Sequence, residues 1–437
     1  MIMDIWHNLS VLTQDIVILI LLLAPGVLAG GWVLRGFAPW PLLRALLRQN
    51  LWVSVTCTAL IAISVAIGAG LTAQERGLRV GSAQAADPFD MIVTAPGSEI
   101  TAMFAAVFLQ VTDMPLLDGE LYIEIATHER VAFAAPIAFG DSYQSAPVVG
   151  TTPQFLTHMA PDLAAGRAFE TVQEAVIGAR VPLAIGDTFE PAHGVGDTAQ
   201  VGAHKGLEFL VTGQMPPTGS PWDKAILIPV EAVWEAHGLA SGHPFEWDGT
   251  IGPPFTPEFF PGTPAILVRA EALWANYALR SEFSTTDSMA FFPGAVLARL
   301  HGLMGDVRQV MSLLAVMTQV LVAAGSLTAL MILSRLLSGR FAVLRAIGAP
   351  VRFIFALMWG YAAVLILAGA VLGLILGFAS SAALSAMITA RTDILVRASL
   401  SWTEFHLVAG FVSLTLLLAL IPAALTTRRS VVADLRQ

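Results

Sequence analysis

The chain has 437 residues, of which 56% are hydrophobic and 13% charged, with a formal net charge of −9 and a mean hydropathy of +0.72. An acidic balance argues against nucleic acid as a partner, because that calls for a basic face. A single cysteine, Cys57, excludes an intrachain disulfide in any compartment.

In chain order, the first predicted element is an apolar run over residues 16–34 behind an acidic stub with Asp4 and Asp15. The stub lacks the positive region of a signal peptide and no cysteine follows closely for lipidation, so the run is expected to remain as a membrane helix. Residues 37–49 (FAPWPLLRALLRQ) place Pro41 at a helix start and Leu42, Leu43, Leu46 and Leu47 on one stripe, with Arg44 and Arg48 a turn apart. This reads either as a helix lying along the membrane interface or as a positively charged connector. A second apolar run covers 51–71. After a long polar segment come three more, at 310–333, 353–388 and 405–425. Each is long enough to cross a bilayer as a helix, which takes about 20 residues.

Arginines orient these runs, because short cytoplasmic loops collect Lys and Arg. Arg35, Arg44 and Arg48 lie between the first two runs, Arg335, Arg340, Arg345 and Arg352 between the third and fourth, and Arg428, Arg429 and Arg436 follow the fifth. The three clusters share one side of the membrane, and a chain with its N-terminus outside and its C-terminus cytoplasmic puts all of them in the cytoplasm. Residues 73–305 then lie outside, carrying 26 Asp and Glu against 10 Lys and Arg, while the remainder carries 6 against 13. The expected division is 1–72, two helices with the connecting helix; 73–306, the outer domain, with room for two subdomains; and 307–437, three helices with a cytoplasmic loop at 335–352.

The outer segment has β-rich patches at 89–94, 121–126, 209–212 and 225–229, and helical stretches at 99–110 and 229–237. An α+β domain is expected. Gly and Pro crowd 213–221 and 249–264, which read as surface loops and a subdomain boundary. The fold class is therefore a polytopic α-helical membrane protein with a large extracytoplasmic α+β domain.

Chemistry-bearing motifs are scarce. The string closest to a phosphate loop, 196–205, has the wrong spacing and no Ser or Thr after its lysine, so no ATP-binding cofactor site is expected in this chain. No GxSxG or HExxH motif occurs. Glu120 and Glu124 could share a face, as an acidic surface would also place them. Histidines 128, 158, 193, 204, 237, 243 and 301 all fall in the outer segment, but pairs such as His193 with His204, or His237 with His243, lack the short spacing of a zinc signature. No enzyme activity and no metal site are expected. The helices hold almost no ionisable residue, which argues against a channel or proton-driven transporter. Ala368, Gly369, Ala370, Gly373 and Gly377 permit close helix packing, within the chain or against a second copy.

The loop after the third run reads Val343-Leu344-Arg345-Ala346-Ile347-Gly348-Ala349. It resembles the LRAxGA coupling segment of the MacB/FtsX-like permeases of ABC transporters, a family that also includes the lipoprotein-releasing LolC and LolE proteins. Other stretches resemble the family's landmarks in order: 87–93 with 96–98, LAAGRAF at 163–169, 175–178, 186–188, 209–219, and the ending at 422–436 with Asp434-Leu435-Arg436. The order of one helix, a large outer domain and three helices is repeated over almost the whole chain. Two features depart from it: an additional first helix, and Arg340-Phe341-Ala342 where family members commonly carry an acidic residue before LRAxGA.

The resemblance implies a permease subunit in the bacterial inner membrane. It implies an ATPase-coupling segment at Arg340, Leu344, Arg345, Ala346, Gly348 and Ala349, and two copies of a separate ABC ATPase that binds the ATP and magnesium. It also implies a second permease copy and membrane lipids as partners, and work done outside the membrane, by substrate export or release. A signalling permease that regulates a periplasmic or cell-wall enzyme without transport is the alternative. An anchored structural or metal-binding module, with no ATPase, is the third reading.

Overall fold

The computed structural model describes Trp6 and residues 9–110, 112–194 and 206–427. The expectations placed on Asp4, on 196–205 including His204, and on Arg428, Arg429 and 434–436 lie outside the described residues. The chain divides into two compact units, one of Met1–Gly77, Gly305–Ala386 and Arg397–Gln437, the other of Leu78–Met304 and Met387–Val396. It opens with helices α1 (Val11–Leu34), α2 (Trp40–Gln49) and α3 (Leu51–Ala86). Pro41 stands in the first turn of α2, where its missing N–H costs nothing, and Leu43 is the buried residue of that helix's apolar stripe.

The second unit is an α+β domain. Its elements run β1 (Met91–Thr94), α4 (Glu99–Ala106), α5 (Gly119–Ala126), β2 (Val131–Tyr143), β3 (Ala146–Thr151), α6 (Pro153–Met159), β4 (Ala165–Gly166), β5 (Glu174–Ile177), β6 (Thr188–Phe189) and β7 (Ala192–His193). There follow β8 (Phe209–Gln214), β9 (Ile226–Pro229), α7 (Val230–Ala236), β10 (Ala265–Ala270), α8 (Ala275–Glu282) and β11 (Met289–Phe291). The strands form one mixed sheet in the order β11-β1-β10-β2-β3-β9-β5-β8-β4, with β6 on β8 and β7 on β2.

Period-two alternation sends the two faces of this sheet into two separate cores. Met91, Val93, Val148, Ile226, Ile228, Ile266 and Val268 enter one, where α5, α7 and α8 cover them. Ile92, Val149, Leu227, Ala265 and Leu267 enter the other, beneath α4 and α6. Burial on both sides is why the strands read as continuous apolar runs. Rings fill the first core: Tyr122 stacks on Phe260 at 4.7 Å, and Trp234 meets Phe260 at 4.9 Å. In the second, the Trp222 indole N–H donates to the Val107 carbonyl at 3.0 Å.

Three expectations change. Residues 121–126 are helix, not strand: the Asp118 carboxylate accepts from the Leu121 N–H at 2.9 Å, and Tyr122 and Ile125, three apart, share the buried face. Strand β2 was not foreseen, because Pro136 and Gly140 interrupt its pattern. Pro136 is tolerated because β2 pairs only with β10 there, and β3 joins from Ala138 onward. Residues 213–221 and 249–264 are only partly surface loops, since Met215, Ser220, Phe255 and Phe260 are buried.

The chain then re-enters the helical unit through α9 (Pro293–Leu336), α10 (Ser338–Ala346), α11 (Val351–Thr392), α12 (Trp402–Leu418) and α13 (Leu420–Thr427). Among the described residues, five helical stretches are long and apolar enough to cross a membrane: Val11–Leu34, Leu51–Ala86, Val316–Leu336, Val351–Thr392 and Trp402–Thr427. They coincide with the five predicted runs. The break between α12 and α13 has a cause in Pro422, whose ring opposes the carbonyl four residues back.

A seam joins α3 to α11. Ser54 Oγ bonds the Tyr361 hydroxyl at 2.7 Å. A Cβ on Gly369 would lie 2.6 Å from Ile61 Cγ2, and one on Gly373 2.6 Å from Val65 Cβ. Further on, Gln74 Oε1 accepts from Ser385 Oγ at 3.1 Å. The pairing numbers rise together along both helices, so the two run parallel. The predicted small-residue stripe is thus spent on packing inside the chain. The additional helix α1 belongs to the same bundle: Gly26 N–H donates to Ser413 Oγ on α12 at 3.0 Å. Glu404, fully buried, closes a capping box with Ser401 at the start of α12 and pairs with Arg76 of α3.

Replacing Gly373 with leucine forces the seam apart and is expected to cost about 1–3 kcal/mol, read as a lowered thermal midpoint of the purified monomer. If the stripe served a second copy instead, the monomer's midpoint would not move.

Glu174 offers a second check. Its carboxylate accepts from Arg167 Nη1 at 2.8 Å and from the Glu170 N–H at 2.7 Å. The Arg167 bond first, then the backbone bonds, hold its pKa below the ordinary value. A depressed carboxylate adds stability above its unfolded pKa of about 4.3, which is lost as pH falls through the folded value. Between about pH 5 and 3, the midpoint should therefore fall more steeply for wild type than for Glu174→Gln. The difference is modest, since Arg167 is half exposed.

Candidate functional site

Helix α10 and the turn after it hold every residue of the predicted coupling segment. Its period places Phe341 and Ala342 on the buried face, while Val343 and Ile347, one turn apart, are 52% and 76% exposed. Ala346 and Gly348 are exposed beside them, and Arg340 lies on the open side, its guanidinium donating to Gln49 Oε1 at the end of α2. Leu344, Arg345 and Ala349 are half-buried. Arg345 lines a cleft of about 140 Å³ together with Ser334, Arg335, Ser338 and Thr426. Arg345 thus faces this cleft, and the exposed side of the helix carries the apolar pair Val343 and Ile347. Sequence reading passed over Val343 and Ile347 as part of the motif; their i, i+4 spacing opposite Phe341 and Ala342 was the available signal.

The end of α10 is a Schellman motif. Ala349 N–H donates to the Leu344 carbonyl at 2.9 Å and Gly348 N–H to the Arg345 carbonyl at 3.1 Å. Gly348 has φ +105, and Pro350 follows to prevent continuation. A Cβ at Gly348 would meet nothing within 4 Å. Glycine is therefore selected there by backbone conformation alone.

The outer histidines separate into two kinds. His128 lies 3.3 Å from Glu282, His158 2.6 Å from the Pro88 carbonyl, His243 3.3 Å from buried Glu231 and His301 3.3 Å from Ser82 Oγ. His193 and His237 instead converge on the buried carboxylate of Asp141. The two that converge lie 44 residues apart in the chain. Glu120 and Glu124 are simply exposed on α5.

The family model described as the MacB-like periplasmic core domain matches residues 54–271. Among solved structures, the periplasmic region of MacB from Actinobacillus actinomycetemcomitans is similar at 11% identity, over 49% of this chain and 95% of that one, with a TM-score of 0.31. Among curated proteins, no match is found.

Substituting Gly348 with alanine should weaken the helix end by about 1 kcal/mol, the cost of a side chain at positive φ. Amide exchange at Gly348 and Ala349 should then quicken about fivefold, with the global melting midpoint little changed.

Proposed function

Because the chain belongs to the MacB/FtsX-like permease family, we propose that it is the membrane subunit of an ABC transporter and that a separate ATPase docks on α10. The observation that supports this is the exposed apolar pair Val343 and Ile347, carried on a helix whose end is fixed by the Schellman bonds and whose flank is tied by Arg340 to α2. A docking site needs an apolar centre with a polar rim. Val343, Ala346 and Ile347 supply the centre, and Arg340 the rim. Leu344 and Arg345 act from behind, passing displacement to the helical core and to the cleft at the end of α9.

In this reading the ATPase binds and hydrolyses ATP with magnesium, and this chain supplies no catalytic group. Two permease copies meet two ATPase copies in the bacterial inner membrane, with α10 in the cytoplasm and the α+β domain outside. The parallel run of α3 and α11 fits five successive spans in either orientation, since the second and fourth must cross in the same sense; the arginine clusters choose between the two. Closure of the ATPases moves α10, and the movement reaches the outer domain through α3 and α9, whose residues are shared between the units. The work done there is extrusion or release of an amphiphilic or extracytoplasmic substrate.

Affinity purification of the detergent-solubilised chain from its native host should capture an ATP-binding cassette protein. Val343→Asp and Ile347→Asp should each reduce that capture by more than about tenfold, since a charge buried at an interface centre costs more than 1.4 kcal/mol. An apolar face that merely rests among lipid headgroups would leave capture unchanged in both variants, and no ATPase with the wild type would sink the proposal.

A further inference from the structure

We propose that Asp141, His193 and His237 form a binding site for a divalent ion of the zinc class in the α+β domain, independent of the coupling segment. The three residues come from three elements. Asp141 and His193 are direct cross-strand partners in the β2–β7 ladder, and His237 caps the C-terminus of α7. A register shift in β2 between Phe139 and Asp141 is the kind of irregularity that re-aims a side chain. Gly194 N–H donates to the Gly140 carbonyl at 2.9 Å, which holds the end of β7 beside this kink.

The ligand atoms have the spacing of a coordination polyhedron. His193 Nδ1 lies 3.2 Å from Asp141 Oδ1, His237 Nε2 3.3 Å from His193 Nδ1, and His237 Nε2 3.6 Å from Asp141 Oδ1. A tetrahedron with metal bonds of about 2.0–2.1 Å has edges of roughly 3.3–3.4 Å, so one ion seated among these atoms needs only tenths of an ångström of adjustment.

Orientation is set from behind. His237 Nδ1 lies 2.7 Å from the Val233 carbonyl and must donate to it, so the neutral ring turns the lone pair of Nε2 toward the other two groups. A ring nitrogen tied to a backbone carbonyl, with its opposite nitrogen turned toward the ion, is the usual support of a metal-bound histidine. Asp141 is only 3% exposed at its side chain, whereas His193 is 50% and His237 29% exposed. The carboxylate is thus anchored in protein and the imidazoles leave a path from solvent, with room for a fourth ligand such as water. Two imidazoles and one carboxylate favour zinc over magnesium or calcium, which take oxygen donors.

The test uses the full-length chain, stripped with chelator and titrated with zinc by calorimetry and with cobalt by visible absorption. The expected result is one ion per chain with the absorption of tetrahedral cobalt. His193→Ala, His237→Ala and Asp141→Asn should each weaken zinc by more than about tenfold, while His243→Ala should not. Zinc should raise the thermal midpoint of wild type and leave that of His193→Ala unmoved. Because Asp141 is buried, its variant counts only if its metal-free melting matches wild type; His193, half exposed, decides the matter otherwise. Absence of stoichiometric binding, or equal binding by wild type and His193→Ala, overturns the proposal.

Discussion

The close approach of α11 to α3 is the contact on which the helical unit depends. Between helices in lipid there is little hydrophobic gain, so association rests on how near the backbones come and on the few hydrogen bonds between them. Gly369, Gly373 and Gly377 recur every fourth residue and keep one face of α11 bare for Ile61, Val65 and Ala66. The polar contacts sit at either end of this bare stretch, Ser54 with Tyr361 before it and Gln74 with Ser381 and Ser385 after it. Each gives a buried polar group a partner where water is absent. The remaining helices add to this pair, α12 through Trp359, whose indole N–H donates to the Leu416 carbonyl at 2.9 Å, and α1 through Ser413.

The α+β domain solves the opposite problem. It lies in one sheet with an apolar core on each face, so every central strand must be apolar at consecutive positions. Helices are then required on both sides. Their caps come from the preceding residue in turn: Ser98 for α4, Asp118 for α5 and Thr152 for α6. Segments far apart in sequence close the domain. Asp393 in the stretch after α11 pairs with Lys224 at 2.7 Å, and the Leu395 N–H donates to the Gly219 carbonyl at 2.9 Å.

How much of this was legible in the sequence follows from the range of each interaction. An apolar run of 20 residues is a local signal, and all five spans were found from it. Strands β1, β8 and β9 were found because Ile-Val-rich runs are equally local. Residues 121–126 misled because Leu, Tyr and Ile are common in strands, although Asp118 before Glu120 already announced a helix start. For β2 the signal was hidden by Pro136, acceptable only because of which neighbour pairs at that point. Helix α10 was legible as a motif, yet its phase was not, and phase decides that Arg345 turns to the cleft and Ile347 to the outside. The Asp141 cluster was invisible, since its members are 52 and 44 residues apart and meet only through a two-residue strand.

Cys57 is the chain's one cysteine, and it is 5% exposed among Ile61, Val65 and the core of the helical unit. The wild-type protein therefore carries no thiol within easy reach of a hydrophilic maleimide. A cysteine introduced at an exposed position reports from that position alone, without a preliminary campaign of cysteine removal. Spin labels or fluorophores can be attached one at a time to α10 or to the rim of the α+β domain. The chain is thus already prepared for distance measurements in a lipid bilayer.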